Sequence, residues 1–238
     1  MRCTTVLLIF NEEGNIEPLT RSILEVYDRE GIDGEVLLVD DGSEDRSPRI
    51  CDDLADREAR VRAVHHRKNL NRSRAIQTGF RESLGEVVII MDGDRQYEPA
   101  EIPRFLEKID QGYDVVTGNR VARSDNLTRR IISKVYNRLI IGRLFHLDVR
   151  DQNSGFKAFL RGRALGMDFD PEGYLGLHRY ILPLAALKGL SIAEIPITHY
   201  DRSSGSSYIK SYTVPFITLR DLVRFLREHR EEIGRMRE

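Results

Sequence analysis

Residues 87–96 join an apolar run to a pair of carboxylates, and this limits the folds open to the chain. Five apolar residues, Val87-Val88-Ile89-Ile90-Met91, lead directly into Asp92-Gly93-Asp94-Arg95-Gln96. A short β-branched run followed by turn residues is typical of a fully buried strand, and such strands belong to parallel sheets. Ligands bind outside the carboxyl ends of these strands, where two neighbouring carboxylates repel unless a cation lies between them. The segment predicts a divalent-metal site, although by itself it also fits a plain polar turn.

The same arrangement occurs twice upstream. Residues 4–10 form an apolar run that ends in Asn11-Glu12-Glu13, and residues 35–39 form one that ends in Asp40-Asp41-Gly42-Ser43. Segments with helical periodicity at 16–29 and 48–58 separate these runs, and strand–helix alternation predicts a parallel sheet. The three strand ends then share one edge, where a nucleotide site accounts for the acidic groups more readily than a structural need does.

The elements that follow continue this pattern as far as Gly118. The sequence predicts a short strand at 61–65, a helix at about 73–83, a helix that follows Pro99 and ends near Gly112, and a buried strand at 114–118. No internal repeat or low-complexity linker marks a domain boundary.

Composition excludes several classes of protein. The 238 residues carry a formal net charge of −1, so no overall field favours nucleic acid as a partner. Two cysteines without metal-ligand spacing, Cys3 and Cys51, predict a reducing compartment and no disulfide framework. The start of the chain lacks a signal-peptide pattern, and no apolar stretch approaches the ~20 residues that cross a bilayer. We therefore expect a cytoplasmic protein.

Two later segments combine apolar stripes with arginines. They span residues 129–145 and 212–226, and each places bulky apolar residues on one helical face and several arginines around it. Such helices suit the headgroup level of an anionic membrane. The pattern fits equally a helix that packs on the sheet and exposes a solvated basic face.

A series of motifs resembles inverting family 2 glycosyltransferases. In chain order they are Asp40-Asp41-Gly42-Ser43, Asp92-Gly93-Asp94-x-Gln96, Gly118-Asn119-Arg120, residues 151–159 (Asp-Gln-Asn-Ser-Gly-Phe-Lys-Ala-Phe) and His178-Arg179-Tyr180. Residues 194–199 and 202–208 look like the polyprenyl-phosphate sugar transferases of that family, the dolichyl-phosphate mannose synthase and undecaprenyl-phosphate transferase type. The resemblance runs from about Thr5 to Tyr208.

This resemblance implies an α/β GT-A fold, with a Rossmann-like, mostly parallel sheet flanked by helices and C-terminal amphipathic helices. Residues 1–210 would form the catalytic domain, and residues 211–238 an amphipathic segment suited to a membrane interface. It also implies a GDP- or UDP-linked hexose donor, a Mg²⁺ or Mn²⁺ ion and a polyprenyl (dolichyl or undecaprenyl) phosphate acceptor. Since many relatives continue into transmembrane helices and this sequence ends at Glu238, we expect peripheral binding to the inner face of the membrane, or a membrane-anchoring partner.

The resemblance also assigns residues to roles. Asp92, Asp94 and Gln96 match the metal motif, and Asp40 or its neighbour Asp41 would contact the donor base. The nucleotide-sugar pocket would further include Phe10, Asn11, Glu12, Asp92 and Gly93. Residues matching positions that meet the acceptor and donor phosphates are Arg120, Arg129, Arg130, Ser133 and Arg202.

Charge development in the reaction supports these roles independently. The departing diphosphate gains negative charge, which a metal and guanidinium groups stabilise. Arginine suits phosphate because its planar fork donates two parallel hydrogen bonds. An acceptor phosphate is already ionised, so Asp151 is expected to position a group or to assist weakly as a base. We expect His65, His66 and His178 to be structural or solvent-facing rather than catalytic.

Departures from the family pattern leave the base and the sugar open. Leu8-Ile9-Phe10 replaces a Pro-Thr or Pro-Ala pair, and Ser206-Ser207-Tyr208 lacks the lysine of Ser-Lys-Tyr. One alternative is a family 2 enzyme with a hydroxyl acceptor in cell-surface glycan synthesis. A sugar nucleotidyltransferase would need a glycine-rich loop near the first strand, which residues 10–14 do not provide. A catalytically silent membrane-binding module is disfavoured by the joint presence of Asp92, Asp94 and Gln96.

Overall fold

Strands and helices alternate along the chain as the sequence predicts. The structure is a computed structural model that describes residues 2–121, 142–201 and 214–236. For residues 142–143 and 214–216 it describes the backbone alone. Its strands are β1 (Cys3–Ile9), β2 (Gly34–Asp40), β3 (Val61–His65), β4 (Val87–Asp92), β5 (Val115–Arg120), β6 (Lys157–Leu160) and β7 (Ile192–Ile197). Its helices are α1 (Ile16–Glu30), α2 (Ser47–Arg57), α3 (Arg72–Glu82), α4 (Ile102–Asp110), α5 (Gly142–Phe145), α6 (Arg161–Gly166), α7 (Ile181–Leu187), α8 (Val214–Glu228) and α9 (Arg230–Arg235). Short 3₁₀ turns at Pro99–Glu101 and Leu177–Tyr180 precede α4 and α7.

The described strands form one mixed sheet in the order β3-β2-β1-β4-β6-β5-β7. β1 pairs in parallel with β2 and β4, so that Ile9 lies opposite Asp40 and Leu8 opposite Asp92. β6 runs antiparallel between β4 and β5, which themselves therefore point the same way. The carboxyl ends of β1, β2, β4 and β5 consequently share one edge. The sequence predicts this edge but not the inserted antiparallel strand, because the short apolar run of β6 carries no sign of its direction.

Apolar residues cover both faces of the sheet. Alternate residues of a strand point to opposite faces, and in β4 Val87, Ile89 and Met91 join the core under α1, α2 and α4. Val88 and Ile90 point to the other face, which α3, α7 and α8 cover. Asp92 follows Ile90 by two residues and so lies on the α3 and α7 side of the edge.

The C-terminal helices pack on this second face. Phe225 of α8 is fully buried, stacks on Tyr180 with ring centroids 5.2 Å apart and meets the edge of Phe145. The buried carboxylate of Asp221 accepts hydrogen bonds from the N–H groups of Leu175 and Gly176. Phe145, Leu222 and Phe225 belong to the two apolar stripes noted in the sequence, so part of each stripe is core rather than surface.

Within the described ranges, no helix combines the length and the apolar character that crossing a bilayer requires. Most of segment 129–145 lies outside those ranges, as do Arg129, Arg130, Ser133 and Arg202.

Candidate functional site

The loops after β1 and β2 are joined by hydrogen bonds. Asn11, which has a positive φ of 57°, donates its N–H to Ser43 Oγ at 2.9 Å, and its side-chain Oδ1 accepts from Glu44 N at 2.8 Å. Glu12 donates its N–H to Ser47 Oγ at 2.9 Å, at the start of α2. Its carboxylate is buried and accepts a hydrogen bond from Asn15. Phe10 is half-buried at the end of β1. These contacts fix the segment predicted to line the nucleotide pocket.

Asp40 and Asp41 brace the next two loops. Asp40 accepts from Ser43 N at 3.0 Å and pairs with His65 Nδ1 at 3.0 Å, while Asp41 accepts from Leu70 N at 2.9 Å. Asp41 also pairs with His66 at 2.8 Å. Burial alone lowers the pKa of His65, but the hydrogen bonds that its ring makes to the Asp40 and Asp52 carboxylates raise it overall. Both carboxylates are buried, so the structure gives them internal partners, and His65 and His66 are tied to them.

The Asp-Gly-Asp turn follows β4 directly. Gly93 N donates to Leu8 O at 3.0 Å, which holds the turn against the end of β1. Arg72, the first residue of α3, places Nη1 2.7 Å from Oδ1 and 2.8 Å from Oδ2 of Asp92. Gly155 packs against the same carboxylate, since a Cβ there would lie 2.0 Å from Asp92 Oδ2 and 3.0 Å from Arg72 Nη2. Asp92 is therefore in close contact with both a guanidinium and a glycine.

The oxygen atoms of this turn suit a divalent cation. Asp92 and Asp94 are both partly exposed, and Gln96 uses its Nε2 to donate to Tyr200 O at 2.9 Å, which leaves its amide Oε1 as an acceptor. Two carboxylates and an amide oxygen are hard ligands of the kind that Mg²⁺ and Mn²⁺ prefer, with substrate phosphates completing the shell. In the described residues no three His, Cys, Asp or Glu side chains cluster as a metal cage. The donor set fits a cation that is shared with a diphosphate.

Residues after β7 hold the turn from the far side. Tyr200 N donates to Gln96 O at 2.9 Å, and Tyr97 forms an isolated bridge with His199. The hydroxyl of Tyr97 accepts the N–H of Gly155 at 2.6 Å, which links the turn to the loop that carries Asp151. Burial raises the pKa of Tyr97, so the hydroxyl stays protonated. Tyr97 thus connects three segments of the site.

Arg120 and Asp151 form a buried pair at the end of β5. Arg120 Nε lies 2.6 Å from Asp151 Oδ2, and Nη2 lies 2.9 Å from Oδ1. Burial alone lowers the pKa of Arg120, but the hydrogen bonds and charge of Asp151 outweigh it and raise that pKa. Glu194 of β7 accepts the N–H groups of Arg150 and Asp151 at 2.8 and 2.9 Å and so fixes the loop.

A basic pocket lies beside Asp92, on the α3 and α7 side of the sheet. It has a volume of about 190 Å³, and its charged and titratable lining residues are Arg72, Lys157, His178 and Arg179. Burial lowers the pKa of Lys157 to about 7, with the charges of Arg72 and Arg120 adding to the effect and Asp151 opposing it. Burial and the same cationic surroundings lower the pKa of His178, which is therefore neutral. Its Nδ1 lies 3.1 Å from Ser73 Oγ.

Most of the predicted site residues thus meet at one edge. The structure brings together Phe10, Asn11, Glu12, Asp40, Asp41, Asp92, Gly93, Asp94, Gln96, Arg120 and Asp151 around the ends of β1, β2, β4 and β5. Arg129, Arg130, Ser133 and Arg202 are not among the described residues, although Arg202 follows Tyr200 by two positions in the sequence.

A family model described as glycosyl transferase family 2 matches residues 4–169, which is most of the chain. The chain belongs to glycosyltransferase family 2. It is 34% identical over 208 residues to an undecaprenyl-phosphate 4-deoxy-4-formamido-L-arabinose transferase from Pectobacterium atrosepticum, covering 86% of this chain and 61% of the relative. It is also 29% identical to a dolichol-phosphate mannosyltransferase from Pyrococcus furiosus, covering 95% of this chain and 64% of that protein. The chain thus spans less than two thirds of the length of these relatives.

Solved structures show that this family 2 chain has a GT-A fold. Glucosyl-3-phosphoglycerate synthase from Mycobacterium tuberculosis, in complex with Mn²⁺, UDP and glucosyl-3-phosphoglycerate, superposes with a TM-score of 0.70 at 17% identity. That match covers 98% of this chain and 80% of the synthase. A mannosyltransferase from Pyrobaculum calidifontis, in complex with GDP-Man and Mn²⁺, gives a TM-score of 0.64 at 18% identity, over 87% of this chain and 58% of that one. The fold predicted from the motifs is confirmed.

Sequence reasoning missed several residues of the candidate site. Arg72 is the first residue of α3, one position before the predicted helix start, and it reaches Asp92 only through the fold. Nothing in the local sequence distinguishes Tyr97 from other partly apolar residues, although its contacts join three segments of the site. Lys157 had a signal, since a lysine inside the apolar run Phe156–Leu160 is a charge in a buried strand. His178, expected to be structural, does bond Ser73, yet it also lines the basic pocket.

Proposed function

We propose that the chain is a metal-dependent inverting glycosyltransferase that moves a hexose from a GDP- or UDP-linked donor to a polyprenyl phosphate. The observation that carries this proposal is the register of β1 with β2 and β4, which sets the Asp40 and Asp92 strand ends on either side of the end of β1. Parallel α/β sheets bind nucleotides at such an edge. The relatives named for undecaprenyl and dolichol phosphate support the acceptor class.

The donor would lie across the ends of β1, β2 and β4. The loops that hold Asn11 and Glu12 against Ser43 and Ser47 form a rigid rim for the nucleotide. Because the carboxylates of Asp40 and Asp41 already have internal partners, we assign them mainly to fixing the base-binding loops, with Phe10 beside them. A preformed rim lowers the ordering cost of binding.

Asp92, Asp94 and Gln96 would hold Mg²⁺ or Mn²⁺. The cation, when bound, neutralises charge that develops on the departing diphosphate. Arg72 orients the Asp92 carboxylate through its ion pair, and Tyr97 holds the turn against the loop of Gly155. Preorganised charges of this kind stabilise the transition state without reorganising during the reaction.

The acceptor phosphate would approach Arg120 from the side of β5. Both oxygens of Asp151 are engaged by Arg120, so we assign Asp151 to aiming that guanidinium rather than to accepting a proton. A phosphate nucleophile is already ionised near neutral pH and needs no strong base. Arg129, Arg130, Ser133 and Arg202 are assigned to the phosphates from the family resemblance alone.

The exposed face of α8 supports peripheral membrane binding. Leu219 is 60% exposed and Val223 40% exposed, and Arg220, Arg224 and Arg227 flank them. An apolar patch rimmed by arginines suits the headgroup region of an anionic inner leaflet, where the lipid acceptor resides. We propose that this face lies at the cytoplasmic side of the membrane, with or without a partner that supplies further anchoring.

A donor panel tests the proposal. UDP- and GDP-sugars are incubated with the protein, Mn²⁺ and a short polyprenyl phosphate, and both glycolipid and released nucleotide are measured. We expect one base and one sugar class to give equal amounts of the two products. Nucleotide release without glycolipid, or transfer to a sugar hydroxyl only, would favour the hydroxyl-acceptor alternative.

A further inference from the structure

The basic pocket beside Asp92 has room for more than solvent. Its volume of about 190 Å³ exceeds the roughly 150 Å³ of an apolar protein cavity that takes up benzene. Four apolar side chains from β4, α3, β6 and α7 line the pocket: Ile76, Ile90, Phe159 and Ile181. The pocket therefore accommodates a group of ring size and offers it both apolar and polar surface.

Three of the six polar side chains that line the pocket are cationic hydrogen-bond donors. Arg72, Lys157 and Arg179 line the pocket together with neutral His178, and no carboxylate is among its described lining residues. Asn153 and Ser154 add neutral polar groups at the same wall. A donor-rich, cationic lining of this kind selects oxyanions and rejects cations.

Internal partners satisfy two of the cations, Arg72 and Lys157, only in part. Arg72 uses Nη1 for Asp92, while its buried Nε has no hydrogen-bond partner among the described residues. Lys157 is buried and donates to the backbone oxygen of Ser154, without a carboxylate at ion-pair distance in the described part of the chain. A buried cation without a counter-ion is costly, and a bound oxyanion would offset that cost.

The position of the pocket indicates which substrate group it receives. Arg72 and Gly155 line the pocket and both lie against Asp92, which ends β4 at the edge where the donor diphosphate is proposed to bind. A group attached to the diphosphate, or one attacking next to it, lies within reach of Arg72. The diphosphate itself has the cation of the Asp-Gly-Asp turn as its partner.

We propose that this pocket binds an oxyanion group of the substrates, a carboxylate on the transferred sugar or the acceptor phosphate. The inference rests on the proposed function and deepens it, because it predicts selection by charge in a pocket whose lining does not include Asp92, Asp94 or Gln96. The four apolar side chains of the lining suit the carbon face of a sugar ring, so we expect the oxyanion to be the carboxylate of an acidic sugar, a hexuronate. The acceptor phosphate is the other source of the same chemistry.

Matched pairs of ligands test the proposal by calorimetry in the presence of Mn²⁺. The donor arm compares UDP-glucuronate with UDP-glucose and GDP-mannuronate with GDP-mannose, and the acceptor arm compares a short isoprenyl phosphate with its alcohol. Wild type is compared with Arg179→Gln and Lys157→Met, whose apolar side chain suits the buried strand. Arg21→Gln, on the exposed face of α1, serves as the control.

We expect the charged member of one arm to bind at least about tenfold more tightly, and each pocket variant to remove about tenfold, since hydrogen bonds to charged groups carry effects of that size. The arm that responds identifies the source. Equal binding of charged and neutral ligands in both arms, or a preference that both pocket variants retain, overturns the inference. Binding of UDP or GDP alone tests the proposed function. If neither nucleotide binds to wild type or to any variant, both the proposed function and this inference are overturned. If a nucleotide binds but charged and neutral ligands bind equally, only this inference is overturned.

Discussion

The guanidinium of Arg120 and the carboxylate of Asp151 form two parallel hydrogen bonds, with Nε to Oδ2 at 2.6 Å and Nη2 to Oδ1 at 2.9 Å. Only 10% of the Arg120 side chain and 5% of the Asp151 side chain is exposed. The pair joins the end of β5 to the loop before β6, next to the turn that carries Asp92. Its geometry places a fixed positive charge at the edge where phosphate groups are proposed to meet.

Removing either member of this pair should destabilise the protein. Arg120→Gln or Asp151→Asn leaves the other charge buried and unpaired, and we expect each to lower the free energy of unfolding by about 3–5 kcal/mol. The double variant should lose less than the sum of the two, with a coupling energy of about 0.5–3 kcal/mol, as contacting residues show. Urea denaturation of the four proteins measures these values. The exposed pair of Arg60 and Asp28 is the control, where the same changes should alter stability little. Additive losses at Arg120 and Asp151 would contradict the paired geometry.

Gly155→Ala should displace the Asp92 carboxylate. A Cβ at this position would lie 2.0 Å from Asp92 Oδ2, so the carboxylate must move away from its present place beside Arg72. We expect transfer activity to fall by about 10²–10³, the usual effect of losing one preorganised electrostatic group. Gly162→Ala is the matched control, because nothing lies within 4 Å of a Cβ in that position in α6. Steady-state kinetics of both variants measures this effect. If Gly155→Ala is as active as Gly162→Ala, the Asp92 carboxylate tolerates the shift.

The buried amine of Lys157 should make stability depend on pH. Burial, opposed by Asp151 and assisted by Arg72 and Arg120, lowers its pKa from 10.5 to about 7. Between these values the unfolded chain binds a proton that the folded chain does not. Stability should therefore rise with pH above about 7, by at most about 1.4 kcal/mol per pH unit.

Lys157→Met removes this titrating group and serves as the comparison. The unfolding free energy of wild type minus that of the variant, measured by urea denaturation from about pH 6 to pH 9, should increase as pH rises. Parallel profiles for the two proteins would mean that the Lys157 amine titrates normally in the folded state.

The exposed face of α8 should bind anionic membranes. Leu219 and Val223 are exposed among arginines, whereas Phe225 of the same helix is buried. We expect wild type to sediment with vesicles that contain anionic lipid, and binding to weaken with salt because screening shortens the reach of each charge. Apolar insertion should leave some salt-resistant binding.

Leu219→Glu with Val223→Glu should abolish the salt-resistant part without unfolding the protein, because both side chains already contact solvent. Leu165→Glu, at another exposed apolar position, is the control. Co-sedimentation of the three proteins at low and high salt provides the measurement. A wild-type protein that stays in the supernatant with anionic vesicles would remove the interfacial role of α8.

Local patterns predict much of this fold. The apolar runs of β1, β2 and β4 and the turn residues that follow them locate the strands and their shared edge, since each signal lies within one short segment. Helix ends differ from the prediction by a residue or two, as for α3, which begins at Arg72 and ends at Glu82. The direction of β6 was not predictable, because strand direction depends on pairing with distant segments.

The candidate site divides in the same way. The acidic residues of the strand ends were predictable since each follows its own strand. The contacts of Arg72 with Asp92 and of Tyr97 with Gly155 were not, because they join residues 20 and 58 positions apart. The amphipathic stripes gave an equivocal signal for a related reason. Periodicity identifies an apolar face but not its partner, and in α8 Phe225 is buried against Tyr180 and Phe145 while Leu219 remains exposed.

Acceptor selection by mass spectrometry tests the central proposal most directly. With the donor that the panel identifies, and with Mn²⁺, a polyprenyl phosphate is compared with the polyprenol of the same length. We predict one hexosyl group added per polyprenyl phosphate, one nucleoside diphosphate released per transfer and no product from the polyprenol. Asp94→Ala should reduce the rate by about 10²–10³, because it removes a proposed metal ligand at the partly exposed edge. Equal transfer to the polyprenol, or near-normal turnover of a folded Asp94→Ala protein in Mn²⁺, would contradict a metal-dependent transfer to a lipid phosphate.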